Sequence, residues 1–295
     1  MNKRLWLYTI YGRNRIYNAI NLVKKKGDLI LPNNFRISFN KENRKDIINL
    51  FTFALFCGVE FSDKEGYWHY GNNIVTTPNN IRFNLKNFDP LIFSETFLRD
   101  IHFSDFNLND KIVVQAGGFI GDTALYYASR GAIIYSFEPD INSCTLAFEN
   151  IKLNPELSKN IVMKNYAIGD DEEIDFPIEP SGSGGSSAYY LQNKKTIKVK
   201  SVSISSILKE FSLENPFLLD LDIKGKEFEV INDENIQKFE MVRIEYSTHI
   251  GDKLIGSRDD IIKKLLEYGF NKIRIFKHHE GAYDLTIHGT IEARK

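Results

Sequence analysis

Residues 111–140 read KIVVQAGGFIGDTALYYASRGAIIYSFEPD, and this stretch decides how the chain can fold. The apolar run at Lys111–Val114 predicts a buried strand, and residues 122–130 have the pattern of a helix. A second apolar run at 132–137 predicts another strand, which Glu138 follows directly. Glycines between strand and helix let the backbone approach a ligand, and an acid about twenty residues on can hold ribose hydroxyls. The stretch therefore predicts a nucleotide-binding βαβ unit.

The spacing of the glycines narrows the kind of nucleotide. The turn contains Gly117, Gly118 and Gly121, which does not reproduce the G-x-G-x-x-G pattern of dinucleotide-binding folds. That pattern sets a helix N-terminus against a pyrophosphate. The looser G-x-x-x-G turn suits a ligand without a pyrophosphate, such as S-adenosylmethionine.

Composition bounds the class of protein. The formal net charge of −1 gives no global field toward nucleic acid, which argues against a nucleic-acid partner. No segment reaches the roughly eighteen consecutive apolar residues of a membrane span. Cys57 and Cys144 lie far apart in sequence, which is typical of free thiols in a reducing compartment. The first apolar residues are interrupted too early for a signal peptide, so we expect a cytoplasmic protein.

We expect three regions along the chain: an extension over residues 1–75, lead-in strands and a helix over 76–108, and a core over 109–295. Within 3–26, apolar residues at helical spacing and a Lys24–Lys26 run before Gly27 predict a basic amphipathic helix. Such a helix either docks on its own protein or lies on a partner or an anionic membrane surface. The sequence leaves both possibilities open.

Downstream of the opening stretch, strands and helices alternate to the C-terminus. Strands are predicted at residues 160–165, 217–223 and 241–246, a helix at 257–268, and a final antiparallel hairpin of 272–276 with 284–288. The Gly/Ser-rich segment 181–187 predicts a flexible loop, which is either a plain surface loop or a lid over the site.

At this point the sequence resembles a known family. VVQAGGFIGDTALYYASRGA followed by YSFEPD resembles the core of the FkbM-type methyltransferases, and NYAIGD at 165–170, LDLDIKGKE at 219–227 and IEY at 244–246 match later motifs in order. The resemblance covers about residues 76–290. It implies a Rossmann-like class I methyltransferase fold of the α/β class, with a mostly parallel seven-stranded sheet, a C-terminal antiparallel hairpin and a small α+β N-terminal extension. It also implies S-adenosyl-L-methionine as the cofactor and O-methylation of a hydroxyl on a saccharide or secondary metabolite.

Four positions depart from the family pattern. Gln115 stands in place of an acid, Phe119 in place of an asparagine, Lys224 in place of a glutamate, and Ser247 in place of a histidine. Gln115 can still form a hydrogen bond but brings no charge to the cofactor's ammonium. A degenerate fold that binds a ligand or partner without catalysis is therefore the alternative function. The acceptor and the oligomeric state are left open.

The resemblance also implies the residues that hold the cofactor. Gly117, Gly121 and Asp122 correspond to the methionine side of the site, and Glu138 corresponds to the acid that holds the ribose hydroxyls. Physical reasoning and the resemblance agree on Glu138. The full predicted set is Gln115, Gly117, Gly121, Asp122, Glu138, Asp140, Ala167 and Ile168, of which the last two would flank the adenine.

Methyl transfer to a hydroxyl needs a group that removes the hydroxyl proton. Carboxylates at the carboxyl ends of strands are the candidates here, namely Asp222 and Glu245, with His249 in reserve. For each, a structural hydrogen bond to a neighbouring loop is the competing interpretation. No cluster has the spacing of metal ligands, so we expect no metal.

Overall fold

The computed structural model of the chain describes residues 13–86, 89–102, 105–178, 195–277 and 284–295. The chain divides into two compact units, residues 1–105 and residues 106–295. The Gly/Ser-rich segment 181–187, predicted to be either a plain surface loop or a lid, lies outside the described residues. None of the described helices is long and apolar enough to cross a membrane.

The described part of the first unit contains three helices and two small antiparallel sheets, β1–β2 and β3–β4–β5. Its elements are α1 (Arg15–Lys24), β1 (Gly27–Ile30), β2 (Arg36–Phe39), α2 (Arg44–Phe56), β3 (His69–Gly71), β4 (Ile74–Thr76), β5 (Arg82–Asn84) and α3 (Pro90–Phe97). The helix predicted within residues 3–26 corresponds to α1.

Aromatic rings form the core of the first unit. Phe53 meets Trp68 edge to face at a centroid distance of 5.0 Å, and Phe83 meets Phe93 in the same way at 4.9 Å. Such pairs add to the stabilisation that burial of the rings provides. The Phe-rich composition of the chain is therefore used for packing here.

The second unit alternates strands and helices around one large sheet. Its strands are β6 (Ile112–Ala116), β7 (Ile133–Phe137), β8 (Ile161–Lys164), β9 (Ala167–Ile168), β10 (Glu173–Pro177), β11 (Thr196–Val202), β12 (Leu218–Leu221), β13 (Met241–Ser247), β14 (His249–Ile250), β15 (Lys253–Leu254), β16 (Lys272–Phe276) and β17 (His288–Arg294). Its helices are α4 (Asp122–Ser129), α5 (Ile141–Lys152), α6 (Pro155–Ser158), α7 (Ile204–Glu210), α8 (Glu227–Val230), a 3₁₀ turn (Glu234–Lys238) and α9 (Arg258–Glu267).

Seven strands form the large sheet in the order β16-β17-β13-β12-β6-β7-β8. Strand β17 is antiparallel to both of its neighbours, and the other strand pairs are parallel. The predicted mostly parallel sheet with an antiparallel C-terminal hairpin is confirmed. Because the parallel strands share one direction, their carboxyl ends meet at a single edge, which is where open α/β folds bind ligands.

The second strand of the C-terminal hairpin was predicted too early in the sequence. Residues 284–288 were expected to form it, but 285–287 form a turn and the strand runs from His288 to Arg294. The side chain of Asp284 accepts a hydrogen bond from the backbone of Thr286 at 2.8 Å, which favours the turn.

A row of buried polar side chains crosses the middle of the sheet. Strand register pairs neighbours in the order Ser136, Gln115, Asp220, Arg243 and Glu292, and each is at most 5 % exposed. The Ser136 hydroxyl donates to Gln115 Oε1 at 2.9 Å, and Arg243 Nη1 donates to Asp220 Oδ1 at 2.8 Å. We call these five residues the polar row.

Candidate active site

The glycine turn after β6 brings the backbone of two strands into contact. Gly117 has φ +86°, and a Cβ at this position would lie 2.0 Å from the backbone oxygen of Asp222, which follows β12. Gly121 also has a positive φ, +79°, and precedes α4, where a Cβ would press on Ala147. Glycine tolerates both the left-handed conformation and the close approach. The turn thus holds the carboxyl ends of β6 and β12 together.

Glu138 lies at the end of β7, where its carboxylate is almost fully buried. One oxygen accepts the backbone N–H of Phe119 at 2.8 Å, and the other accepts that of Asp140 at 2.7 Å. Burial raises the pKa of Glu138 to about 8, although these two donors oppose the shift. A carboxylate offers about four acceptor positions, so two remain for a vicinal diol. The residue therefore fits the ribose-binding role that the sequence predicted.

A cavity of about 400 Å³ opens at the carboxyl edge of the sheet. This volume is within the range of small-molecule sites. Its wall includes the turn residue Gly117, Phe137 and Pro139 on either side of Glu138, and Ala167 and Ile168 of β9. The apolar side chains of Phe137 and Ile168 could hold a planar base. The apolar walls of this cavity therefore fit the adenine of S-adenosylmethionine, and Glu138, which lies between two lining residues in sequence, fits its ribose.

A charged cluster follows the ends of β12 and β13. Lys224 Nζ lies 2.7 Å from Asp222 Oδ1 and 2.9 Å from Glu245 Oε1. Burial opposes the charge of Lys224, but the two carboxylates outweigh it and raise its pKa. Burial, followed by the charge of Glu245, raises the pKa of Asp222. The structure therefore brings together two of the three predicted catalytic residues and places a cation between them.

His288 extends this cluster, and the sequence analysis missed it. His288 Nε2 lies 3.9 Å from Glu245 Oε1, and its Nδ1 lies 2.8 Å from the hydroxyl of Ser247. Ser247 and His288 are register partners on β13 and β17. No local motif could have revealed this contact, because it depends on strand register across 41 residues of sequence.

The remaining predicted residues have mixed surroundings. Gln115 is buried in the polar row, Asp122 is buried at the start of α4, and Asp140 caps α5 by accepting the backbone N–H of Ser143. His249 is exposed on the short β14–β15 ribbon, where its Nδ1 lies 2.9 Å from the hydroxyl of Thr248. The described contacts therefore give Asp140 a structural role and do not join His249 to the charged cluster.

The strand order, the glycine turn and the acid at the end of β7 define a class I methyltransferase fold, which uses S-adenosyl-L-methionine. The family model described as the methyltransferase FkbM domain matches residues 115–272, more than half of the chain. The chain belongs to this family. No curated protein matches the sequence.

Solved structures with a similar fold include several methyltransferases. The N-terminal domain of human METTL16 in complex with SAH is 13% identical, covers 96% of this chain and 98% of that chain, and has a TM-score of 0.43. Magnesium protoporphyrin IX methyltransferase from Synechocystis, with bound SAM, is 13% identical over 70% of this chain and 77% of that chain, with a TM-score of 0.41. Precorrin-6y C5,15-methyltransferase from Geobacter metallireducens is 10% identical over 67% and 87%, with a TM-score of 0.39.

Proposed function

We propose that this protein is an O-methyltransferase that acts on a hydroxyl group of a saccharide or secondary metabolite. The observation that carries the proposal is the pair of carboxylates, Asp222 and Glu245, which lies beyond the glycine turn at the same edge of the sheet as the cavity. A hydroxyl is a weak nucleophile and gains most from a neighbouring proton acceptor.

Each residue has a separate task in this proposal. S-adenosylmethionine supplies an electrophilic methyl group when bound. Glu138 would accept hydrogen bonds from the ribose hydroxyls, while Ala167 and Ile168 would flank the base. Glu245 accepts the proton of the acceptor hydroxyl, and the Asp222 carboxylate orients that hydroxyl.

Lys224 sets the charge of the proposed acceptor region. With both carboxylates ionised, Lys224 leaves the cluster with one net negative charge. Because its pKa is raised, Lys224 stays protonated at neutral pH and serves as a charge partner for the carboxylates, not as a base. Such a cluster favours neutral or cationic acceptors over anionic ones, which agrees with a polyhydroxylated substrate.

Two measurements test the proposal separately. Calorimetry with S-adenosylmethionine should show binding, and Glu138→Ala should abolish it while Glu138→Gln weakens it less. Transfer of labelled methyl to a panel of neutral saccharides and alcohols should then be lost in Glu245→Gln with cofactor binding unchanged. Folded protein that binds no cofactor would overturn the cofactor site. Equal transfer by Glu245→Gln would overturn the assignment of the base.

A second candidate function has a specific observation in its favour. Lys224 already forms ion pairs with both Asp222 and Glu245, so both carboxylates have a partner within the protein. Phe119 in the glycine turn has φ +43°, a conformation that side chains of this size rarely adopt. Both features fit a fold that retains cofactor binding and has lost methyl transfer.

Lys224 also distinguishes the two candidates. If the pairing blocks chemistry, Lys224→Glu or Lys224→Gln should create or raise methyl transfer to the same panel of acceptors. If the protein is an active enzyme, wild-type transfer is present and Lys224→Gln lowers it. Lys224→Arg, which keeps the charge, serves as the matched control in both cases.

A further inference from the structure

The outer face of helix α1 carries apolar side chains that contact water. Ile16, Ile20 and Val23 are 70 %, 47 % and 70 % exposed and lie at positions i, i+4 and i+7, which places them in one line along the helix. We call these three residues the α1 stripe. Tyr17 beside it is 42 % exposed. Exposed aliphatic side chains in a continuous line are typical of an interaction surface.

The inner face of the same helix combines Leu22, which is 1 % exposed, with two buried amides that fix its orientation. Asn18 forms two reciprocal hydrogen bonds with the backbone of Ile30, at 2.8 and 3.0 Å, and Asn21 donates to the backbone oxygen of Asp28 at 2.9 Å. Asn18 is 1 % exposed and Asn21 9 %. Buried amides with satisfied hydrogen bonds resist rotation of the helix, because rotation would leave them unpaired. The α1 stripe is therefore held outward.

Positive charge surrounds the α1 stripe at both ends. Residues 13–27 contain no Asp or Glu, although the whole chain has a net charge of −1. The basic side chains of this segment are all exposed: Arg13, Arg15, Lys24, Lys25 and Lys26. An apolar line between cationic ends is complementary to a surface that offers hydrocarbon below a layer of negative charge.

We propose that helix α1 docks this protein in the plane of an anionic phospholipid membrane, with the α1 stripe in the acyl region and the basic residues among the headgroups. The helix is ten residues long and lies on the surface of its unit, so it can lie in the interface without spanning it. The sequence left open whether this helix docks on the protein or on a membrane. In this proposal the buried face fixes the helix on its unit, and the exposed face contacts the membrane.

The chemistry of the stripe favours lipid over the other polyanions. Nucleic acid would pair with the basic residues but offers no apolar layer for Ile16, Ile20 and Val23. The three aliphatic side chains on the outer face are unfavourable for a helix that faces only water. Insertion of the stripe into hydrocarbon removes that cost.

Vesicle flotation of the full chain tests the proposal. The vesicles are phosphatidylcholine alone and phosphatidylcholine with about 30 % phosphatidylglycerol, which mimics an anionic leaflet. One variant carries Ile16→Ser, Ile20→Ser and Val23→Ser. A second carries Arg15→Gln, Lys24→Gln and Lys26→Gln. The control replaces exposed apolar residues of the second unit, namely Ile141→Ser, Phe148→Ser and Leu266→Ser.

The expected result is flotation with the anionic vesicles. The serine variant should bind at least about tenfold more weakly, and the glutamine variant about fivefold more weakly for each charge removed. The control should bind as the wild type does. All altered side chains are exposed, and circular dichroism should confirm that each variant is folded.

Several outcomes would overturn the proposal. These are flotation with neither vesicle, equal loss in the control, or full binding by the serine variant. Tighter binding to a single-stranded RNA than to anionic vesicles would assign the surface to nucleic acid. A dimer that the serine variant dissociates would assign it to a second copy of the chain.

Discussion

Replacing Gln115 by aspartate should destabilise this protein, although an acid is the residue that the family pattern has at this position. Gln115 is 3 % exposed and pairs in register with Asp220 on the neighbouring strand. Asp220 is itself buried and receives hydrogen bonds from Arg243 and from the Tyr127 hydroxyl, both at 2.8 Å. The buried row therefore already contains a carboxylate one strand away, and Gln115→Asp would add a second beside it.

The size of the effect follows from the strand spacing. Neighbouring strands lie about 4.8 Å apart, and side chains of register partners point to the same face. Two like charges at that distance repel by about 3 kcal/mol at an effective dielectric constant of roughly 20. Total stability is on the order of 5–15 kcal/mol, so this is a large fraction. It corresponds to a decrease of roughly 6–12 °C in the Tm of a unit of this size.

Gln115→Asn is the matched control, because it shortens the side chain equally and adds no charge. Urea denaturation at pH 8 should give a free energy of unfolding about 3 kcal/mol lower for Gln115→Asp than for Gln115→Asn. Repulsion raises the pKa of the introduced carboxyl in the folded state, so the penalty is absent below the unfolded pKa of that carboxyl and grows as pH rises through its folded pKa. The two variants should therefore converge near pH 4.

Repeating the comparison in an Asp220→Asn background isolates the repulsion between positions 115 and 220. The Asp220→Asn background removes the neighbouring negative charge and leaves Arg243 without its carboxylate partner. In this background Gln115→Asp should be no less stable than Gln115→Asn. The introduced carboxylate should instead partly compensate the buried positive charge of Arg243. Equal stability of the two Gln115 variants at pH 8 in the wild-type background would refute the reasoning. A penalty that persists unchanged in Asp220→Asn would refute it as well.

Three further predictions concern the site. Gly117→Ala should lower the free energy of unfolding by more than about 2 kcal/mol and abolish cofactor binding, because its Cβ would lie 2.0 Å from a backbone oxygen. The control is Gly269→Ala, at a position with the same φ of +86° and no atom within 4 Å of the added Cβ. It should lower the free energy of unfolding, measured by urea denaturation, by only about 1 kcal/mol. Lys224→Met should raise the pKa of the carboxylate pair that Lys224 bridges, which an alkaline shift of the pH–rate profile would report, and Lys224→Arg should leave the profile unchanged. Burial raises the pKa values of Glu138 and Glu227 to about 8, so the folded protein binds more protons than the unfolded chain between pH 4.5 and 8. The contribution of these two groups to the stability of the cofactor-free protein should therefore be full below pH 4.5 and fall as pH rises toward 8, by on the order of 1 kcal/mol per pH unit for each group. Glu227→Gln should remove about half of that slope, and a flat profile over this range would contradict the prediction.

The sequence by itself determined the class of fold, and it predicted which residues hold the cofactor. Residues 111–140 contain a complete strand, turn, helix and strand, and the local hydrophobic pattern and glycines are enough to predict each of them. The glycines of the turn and Glu138 are part of the same local unit, so their proximity needed no information from elsewhere in the chain. The order of the later motifs then indicated the mostly parallel sheet.

Only the tertiary structure decided what surrounds the carboxylates. Lys224 lies between Asp222 and Glu245, and His288 comes next to Glu245 through antiparallel register with β17, whose start the sequence placed too early. Register depends on pairing between distant segments, and a shift of one residue would turn every side chain to the opposite face. Local patterns carry no such information.

The same limit applies to the departures from the family pattern. In the sequence alone, Gln115 appears only as the loss of the negative charge that the family's acid carries at this position. In the folded sheet it stands beside Asp220, which carries a buried negative charge one strand away and forms an ion pair with Arg243. The orientation of helix α1 was likewise hidden, because the hydrogen bonds of Asn18 and Asn21 to strand β1 hold the α1 stripe outward. Local sequence specifies which elements form, whereas long-range pairing specifies which side chains face one another and which face the surroundings.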